Sequence, residues 1–269
     1  MPIEITAQQI VERVQKKLSA TWKDSPLDVF CAGNPATRIT GIATSFAATM
    51  DVLRRAAAAK QNLLIVREHP FFSHQNSGYN SIPRELIAKD AVCQAKQEFI
   101  TKNNLVVWRF TDNWSSDGQL RGLARTLNWE RYLSGGASEA LFTLPETTIK
   151  TLAMQLRTRL KLSGMRLIGA PETKVRKVAL SHGLILVPEL RQLLQANVDA
   201  VVIGEPIEWE ASPYFQDVVA SGQKKGMIIL GHEASADPGS GEVARWLKTF
   251  LPELPISWLP AGEPFWVPR

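Results

Sequence analysis

Three of the chain's four histidines, His69, His182 and His232, stand directly after short apolar runs, and so do several carboxylates. Leu63-Leu64-Ile65-Val66 runs into Arg67-Glu68-His69-Pro70, and Val106-Val107-Trp108-Arg109-Phe110 into Thr111-Asp112. Val201-Val202-Ile203 runs into Gly204-Glu205, Ile228-Ile229-Leu230 into Gly231-His232, and Ala179-Leu180 into Ser181-His182-Gly183. Imidazole together with carboxylate suits a divalent transition metal whose open positions polarise a phosphoryl or carbonyl oxygen or acidify a bound water. The expected ligands are Glu68, His69, Asp112 and His232, with Glu205 as the base or the group that orients water. Each has a structural alternative. His69 could satisfy a backbone carbonyl, Asp112 and Glu205 could cap helices, and His182 between Ser181 and Gly183 reads as a turn histidine. Glu233 and Asp237 are weaker candidates beside His232.

The elements that must present these residues alternate. Thr6 with Gln9 forms a capping-box signal for a helix to about Leu18. A strand is predicted over 38–44, closed by Ser45, before an alanine-rich helix over 46–60. Strands follow at 62–66 and 105–110 around a helix over 83–102, and another helix covers about 117–127. The turn Ser134-Gly135-Gly136 marks the best boundary, giving an N-terminal lobe 1–134 and a C-terminal lobe 135–269. In the second lobe the pattern predicts helices at 145–160, 187–195, 212–221 and 242–250. Its strands are predicted at 165–168, 174–180, 199–203 and 227–230, before a proline-rich tail from Leu251. This rhythm predicts an α/β fold of mainly parallel sheets with helices on both faces, two similar lobes facing a shared crevice. Ligands of such sheets gather beyond the carboxyl ends of the strands.

Composition removes several alternatives. The 269 residues are 45% hydrophobic and 21% charged, the balance of a globular protein. Lys and Arg number 31 against 26 Asp and Glu, a net charge of +5, and the two signs are mixed along the chain. The basic stretches Arg157, Arg159, Lys161 and Lys174, Arg176, Lys177 lack the interleaved aromatics of a single-strand binder, so nucleic acid is not an expected partner. Cys31 and Cys93 form no Cys-x-x-Cys motif and read as buried thiols. No secretory leader or membrane-length apolar segment is evident, so the expected location is cytoplasmic, away from membranes.

Several segments together resemble the Nif-three-like family. They are Ile39-Thr40-Gly41-Ile42-Ala43-Thr44, Glu68-His69-Pro70, Trp108-Arg109-Phe110-Thr111-Asp112, Gly204-Glu205 with Glu208-Trp209-Glu210, Gly231-His232, and Ala244-Arg245-Trp246-Leu247. Pro260-Ala261-Gly262-Glu263-Pro264-Phe265-Trp266 is similar to one branch of it. The resemblance implies a two-lobed α/β fold, a ring-shaped homo-hexamer, two neighbouring divalent ions (zinc, iron or manganese) and a GTP cyclohydrolase type two-like label. It implies a metal-dependent hydrolase of a small phosphate- or purine-containing molecule, or alternatively a non-catalytic regulatory oligomer that binds a metabolite or protein.

Within that resemblance Asp112 matches the bridging-type aspartate and His232 the late histidine. The first ligand pair reads as Arg67-Glu68 or as Glu68-His69, depending on whether Phe71-Phe72-Ser73-His74 or the His-Pro step sets the alignment. Ala236 stands where a late glutamate is expected, and Thr111, Asn113 and Ser115 stand where that branch carries histidines around the aspartate. With Asp237 as the substitute ligand, the expectation becomes a single or weakly held ion.

Overall fold

A computed structural model describes residues 4–73, 83–114, 116–134 and 140–268. In chain order the helices are α1 (Ala7–Lys17), α2 (Met50–Ala58), α3 (Arg84–Lys89), α4 (Ala91–Lys102), α5 (Ser116–Thr126), α6 (Ile149–Leu160), α7 (Val187–Gln195), α8 (Glu208–Ala220) and α9 (His232–Leu247). The strands are β1 (Phe30–Ala32), β2 (Ile42–Ser45), β3 (Leu63–Val66), β4 (Val106–Arg109), β5 (Leu141–Thr148) and β6 (Arg166–Ile168). They continue with β7 (Lys174–Leu180), β8 (Leu184–Ile185), β9 (Ala200–Ile203), β10 (Glu205–Pro206), β11 (Gly226–Ile229) and β12 (Ile256–Trp258).

The chain divides into two compact units. One comprises Met1–Ser115 with Ser240–Ala261, the other Ser116–Gly239 with Gly262–Arg269. The expected single cut at 134/135 differs from this, because residues 240–261, including the first part of the tail, join the first unit while 262–269 stay with the second. Residues 256–258 of the tail form β12, which pairs in parallel with β2 in the register Ile256↔Ile42. The Gly135-Gly136 turn lies outside the described residues.

In the first unit the sheet order is β1-β4-β3-β2-β12, parallel except for β1, which runs antiparallel to β4. The β2, β3 and β4 strands are buried throughout, so their alternate residues feed two cores. Ile42, Leu63, Ile65, Val106 and Trp108 pack with Ile10 and Val14 of α1 and with Val243 and Leu247 of α9. Ala43, Leu64, Val66 and Val107 pack with Val52, Leu53 and Ile100 of α2 and α4. Helices therefore cover both faces. The second unit repeats the plan in the order β5-β7-β9-β11-β6, with β7, β9 and β11 parallel and both edge strands antiparallel. Val178, Val202 and Ile228 face Leu152 and Leu156 of α6, while Ala179, Val201 and Ile229 face Leu190 of α7 and Phe215 of α8.

Several boundaries depart from the pattern reading. The helix expected over 83–102 breaks at Asp90, whose carboxylate accepts the Cys93 N–H at 2.8 Å and so caps α4 directly after α3 ends. The helix expected from Pro145 begins only at Ile149, because 141–148 form β5 against β7 and Thr148 then caps α6. The last helix starts at His232, ten residues before Glu242, and carries Pro238 within it. The Thr6–Gln9 capping box is present as expected, with Gln9 N donating to Thr6 Oγ1 at 3.3 Å and Thr6 N to Gln9 Oε1 at 2.9 Å. Among the described residues no helix is long and apolar enough to cross a membrane.

Candidate functional site

In the second unit the parallel strands β7, β9 and β11 deliver three short loops to their common carboxyl edge: Ser181-His182-Gly183, Gly204-Glu205 and Gly231-His232. His232 opens α9 and meets Glu205, with Nδ1 3.0 Å from Oε2. The imidazole is mostly buried and the carboxylate more exposed. A carboxylate at that distance holds the Nδ1 proton and fixes the tautomer, leaving Nε2 with its lone pair.

Ser235, one turn into α9 and fully buried, ties the loops together. Its hydroxyl accepts the Gly183 N–H at 2.9 Å and donates to the His232 carbonyl at 2.8 Å. The Glu205 N–H reaches the Gly183 carbonyl at 2.8 Å. Gly204 is required by this closeness and Gly183 by its backbone conformation. A Cβ on Gly204 would fall 2.3 Å from the Gly183 oxygen, and one on Gly183, whose φ is +63°, would lie 3.5 Å from His232 Nε2. Beside them Glu233 is raised to about 7, first by burial and then by the nearby charges of Asp237 and Glu263. Asp237 is buried, and so is Ala236.

The first unit presents a different constellation. Arg67 and Glu68 follow β3, with Arg67 Nε 3.6 Å from Glu68 Oε1. Asp112 follows β4 and accepts a hydrogen bond from the Ser25 hydroxyl. Burial lowers the pKa of Arg67 most strongly and the charge of neighbouring Arg109 lowers it further, while Glu68 and Asp112 oppose the fall. Arg109 is itself buried, and its Nε donates to the Arg67 carbonyl at 3.1 Å. His69 accepts the Phe71 N–H on Nδ1 at 3.2 Å and packs edge-on against the Phe71 ring, so one ring nitrogen is spent on its own loop. His74 and Ser115 lie outside the described residues.

Pattern reading missed two positioning residues. Asp28 is one: its carboxylate accepts the backbone N–H groups of Thr111, Asp112 and Asn113 at 2.6, 3.0 and 2.9 Å, and the Asn113 side chain at 2.8 Å. It fixes the turn that presents Asp112. Ser235 is the other. Neither stands at the end of an apolar run, and only an Asp in a turn-rich stretch hinted at the first.

Taken one unit at a time, neither set of described donors holds a divalent ion by itself. Within each unit's described residues no three His, Cys, Asp or Glu side chains are grouped to hold an ion, whereas zinc takes at least three protein ligands. In the first unit a guanidinium lies among the carboxylates that would bind. A dication about 5 Å from that unit charge would be repelled by roughly 7 kcal/mol at an effective dielectric of about 20. In the second unit Ala236 supplies no donor.

This fold, paired open α/β units with polar residues at the strand ends, is that of a known class. The family model described as Duf34/NIF3 (NGG1p interacting factor 3) matches residues 1–258, and the chain belongs to that family. Solved structures share the architecture over nearly their whole length. The Bacillus cereus protein related to NIF3 is 13% identical with a TM-score of 0.70, covering 97% of this chain and 99% of that one. Staphylococcus aureus SA1388 is 12% identical at TM-score 0.69, covering 98% and 99%. TTHA1606 from Thermus thermophilus is 17% identical at 0.63, covering 97% and 99%. At these identities the likeness is one of fold. No curated protein sequence matches this chain.

Proposed function

We propose that this chain binds and hydrolyses a small phosphate- or purine-containing molecule at the Glu205–His232 pair, without a resident divalent ion. The observation that carries the reading is the 3.0 Å contact between His232 Nδ1 and Glu205 Oε2 at the carboxyl edge of three parallel strands. Glu205 holds the Nδ1 proton, Nε2 takes a proton from the attacking water, and as the scissile bond to the leaving group breaks the imidazolium returns that proton to it. Ser235 and the glycines at 183 and 204 keep the loops close enough for this geometry. Turnover of nucleotide and phosphate-ester panels by chelator-treated protein tests the proposal. His232→Ala should reduce kcat by roughly 10²- to 10⁴-fold, the usual contribution of one general base. Glu205→Gln should reduce it less. Turnover that is absent until zinc, iron or manganese is added would contradict the metal-free reading and support the ion-dependent hydrolase that the family resemblance implies.

A second reading, a non-catalytic regulatory oligomer, is favoured by the buried Ala236 and by Arg67 among the carboxylates. It expects calorimetric binding of the same compounds with no turnover. Both readings include a homo-oligomer. That part is supported by Trp209, Phe265, Trp266 and Val267 of the second unit, all exposed in the single chain, since interfaces enrich for such side chains. Light scattering at the mass of one chain would dismiss it.

A further inference from the structure

We infer that Arg67 is a tethered counter-cation for Glu68 and Asp112, so that this end of the first sheet takes no divalent ion, and that removing its charge converts the same carboxylates into a divalent-cation site.

The local groups are named by the structure. Arg67 leaves the end of β3 with its side chain 22% exposed and Glu68 beside it at 27%, the Nε–Oε1 separation being 3.6 Å. Asp112 and Glu68 both stabilise the charged guanidinium, and Arg109 opposes it. Around Arg67 stand one further cation, Arg109, and two anions, Glu68 and Asp112, and the formal charges of these four groups sum to zero. Asp28 adds a further carboxylate to the neighbourhood, but four N–H donors from residues 111–113 already engage it.

Geometry holds the arrangement in place. The Arg67 N–H bonds the Phe46 carbonyl at 3.1 Å and the Glu68 N–H the same oxygen at 2.9 Å, so both residues are anchored to the segment after β2. Arg109 Nε grips the Arg67 carbonyl from β4. The chain thereby fixes the Arg67 backbone at the end of β3, directly beside Glu68. A guanidinium stays protonated near neutral pH and has no lone pair to give a metal, so it blocks an ion by charge and by chemistry. Imidazole at the same position would do the opposite, donating a nitrogen beside two carboxylates.

These residues belong to the first unit alone, so an ion found here bears on the metal-free part of the proposed function, while the roles of Glu205 and His232 are judged separately by turnover of chelator-treated protein. The test is thermal unfolding of the full chain, with no substrate, in the presence and absence of manganese chloride. Wild type and Arg67→Lys should melt at the same temperature with and without the ion. Arg67→His should gain a saturable manganese-dependent rise that disappears when Asp112→Asn is added. If Arg67→His fails to fold, Arg67→Gln reads the same question, since it removes the charge and leaves both carboxylates. A manganese-dependent rise in wild type that Asp112→Asn abolishes would overturn the inference. So would the absence of any rise in whichever of the two charge-removing variants folds.

Discussion

The side chains that matter most at the site are those that hold others. Asp28 collects three consecutive backbone N–H groups around Asp112, a charge-assisted arrangement that no water molecule replaces as a unit. Asp28→Ala should cost about 2 kcal/mol in denaturant unfolding, with Asp28→Asn recovering part of it. Cys31 shows the opposite use of an environment. Burial raises its pKa to about 11, only partly offset by the nearby Arg109 charge. The thiolate is the reactive form, so at pH 8 roughly one molecule in a thousand exposes it. Iodoacetamide should therefore label Cys31 slowly in native protein, at a rate that climbs about tenfold per pH unit through pH 10. Glu233 carries a pH signature in stability. Its folded pKa of about 7 exceeds the ordinary value of 4.5, so the folded state binds the proton more tightly than the unfolded one. The resulting penalty is absent below about pH 4.5, grows as pH rises through 7 and is constant above it. Glu233→Gln should accordingly be more stable than wild type at pH 8 by about 2 kcal/mol once solvent screening is allowed for, and equally stable at pH 4.

At the scale of elements, the second unit's site depends on loops drawn together by a helix terminus. Ser235 satisfies Gly183 from the first turn of α9, and Gly204 leaves room for the Gly183 oxygen. Ser235→Ala leaves a buried N–H unpaired and should cost about 1–3 kcal/mol. Gly204→Ala forces a Cβ to within 2.3 Å of a carbonyl and should cost more than that. Equal melting temperatures for Gly204→Ala and wild type would contradict this packing. The strands that end at Glu68, Asp112, Glu205 and His232 were readable because each is a continuous apolar run closed by a polar residue, the pattern of a strand buried on both faces. Their contacts were less readable. β5 was hidden because Pro145, Glu146 and two threonines resemble a helix entry, and only antiparallel pairing with β7 decides for a strand. The start of α9 was hidden by Pro238 and two glycines, which weaken a helix locally and are tolerated here by close packing. A Cβ on Gly122 would lie 2.4 Å from the Pro238 carbonyl. The Arg67 environment could not be read either, since an arginine next to a glutamate is ordinary surface composition until burial is known.

At the scale of the whole chain, the tail is structural. β12 closes the edge of the first sheet next to β2, and Ile256 is buried in its core. Truncation after Leu251 strips that edge and should cause a large loss of soluble, cooperatively unfolding protein. A truncated chain with an unchanged melting temperature would show the pairing to be dispensable. The wider claim concerns ions. A NIF3-family fold is retained while Arg67 stands beside Glu68 at one strand end, and Ala236 stands where the family resemblance implies a ligand. Elemental analysis of native protein purified without chelator addresses this directly. Zinc, iron and manganese are each expected well below one ion per chain. One or two ions per chain, lost in Asp112→Asn or His232→Ala, would contradict the metal-free site.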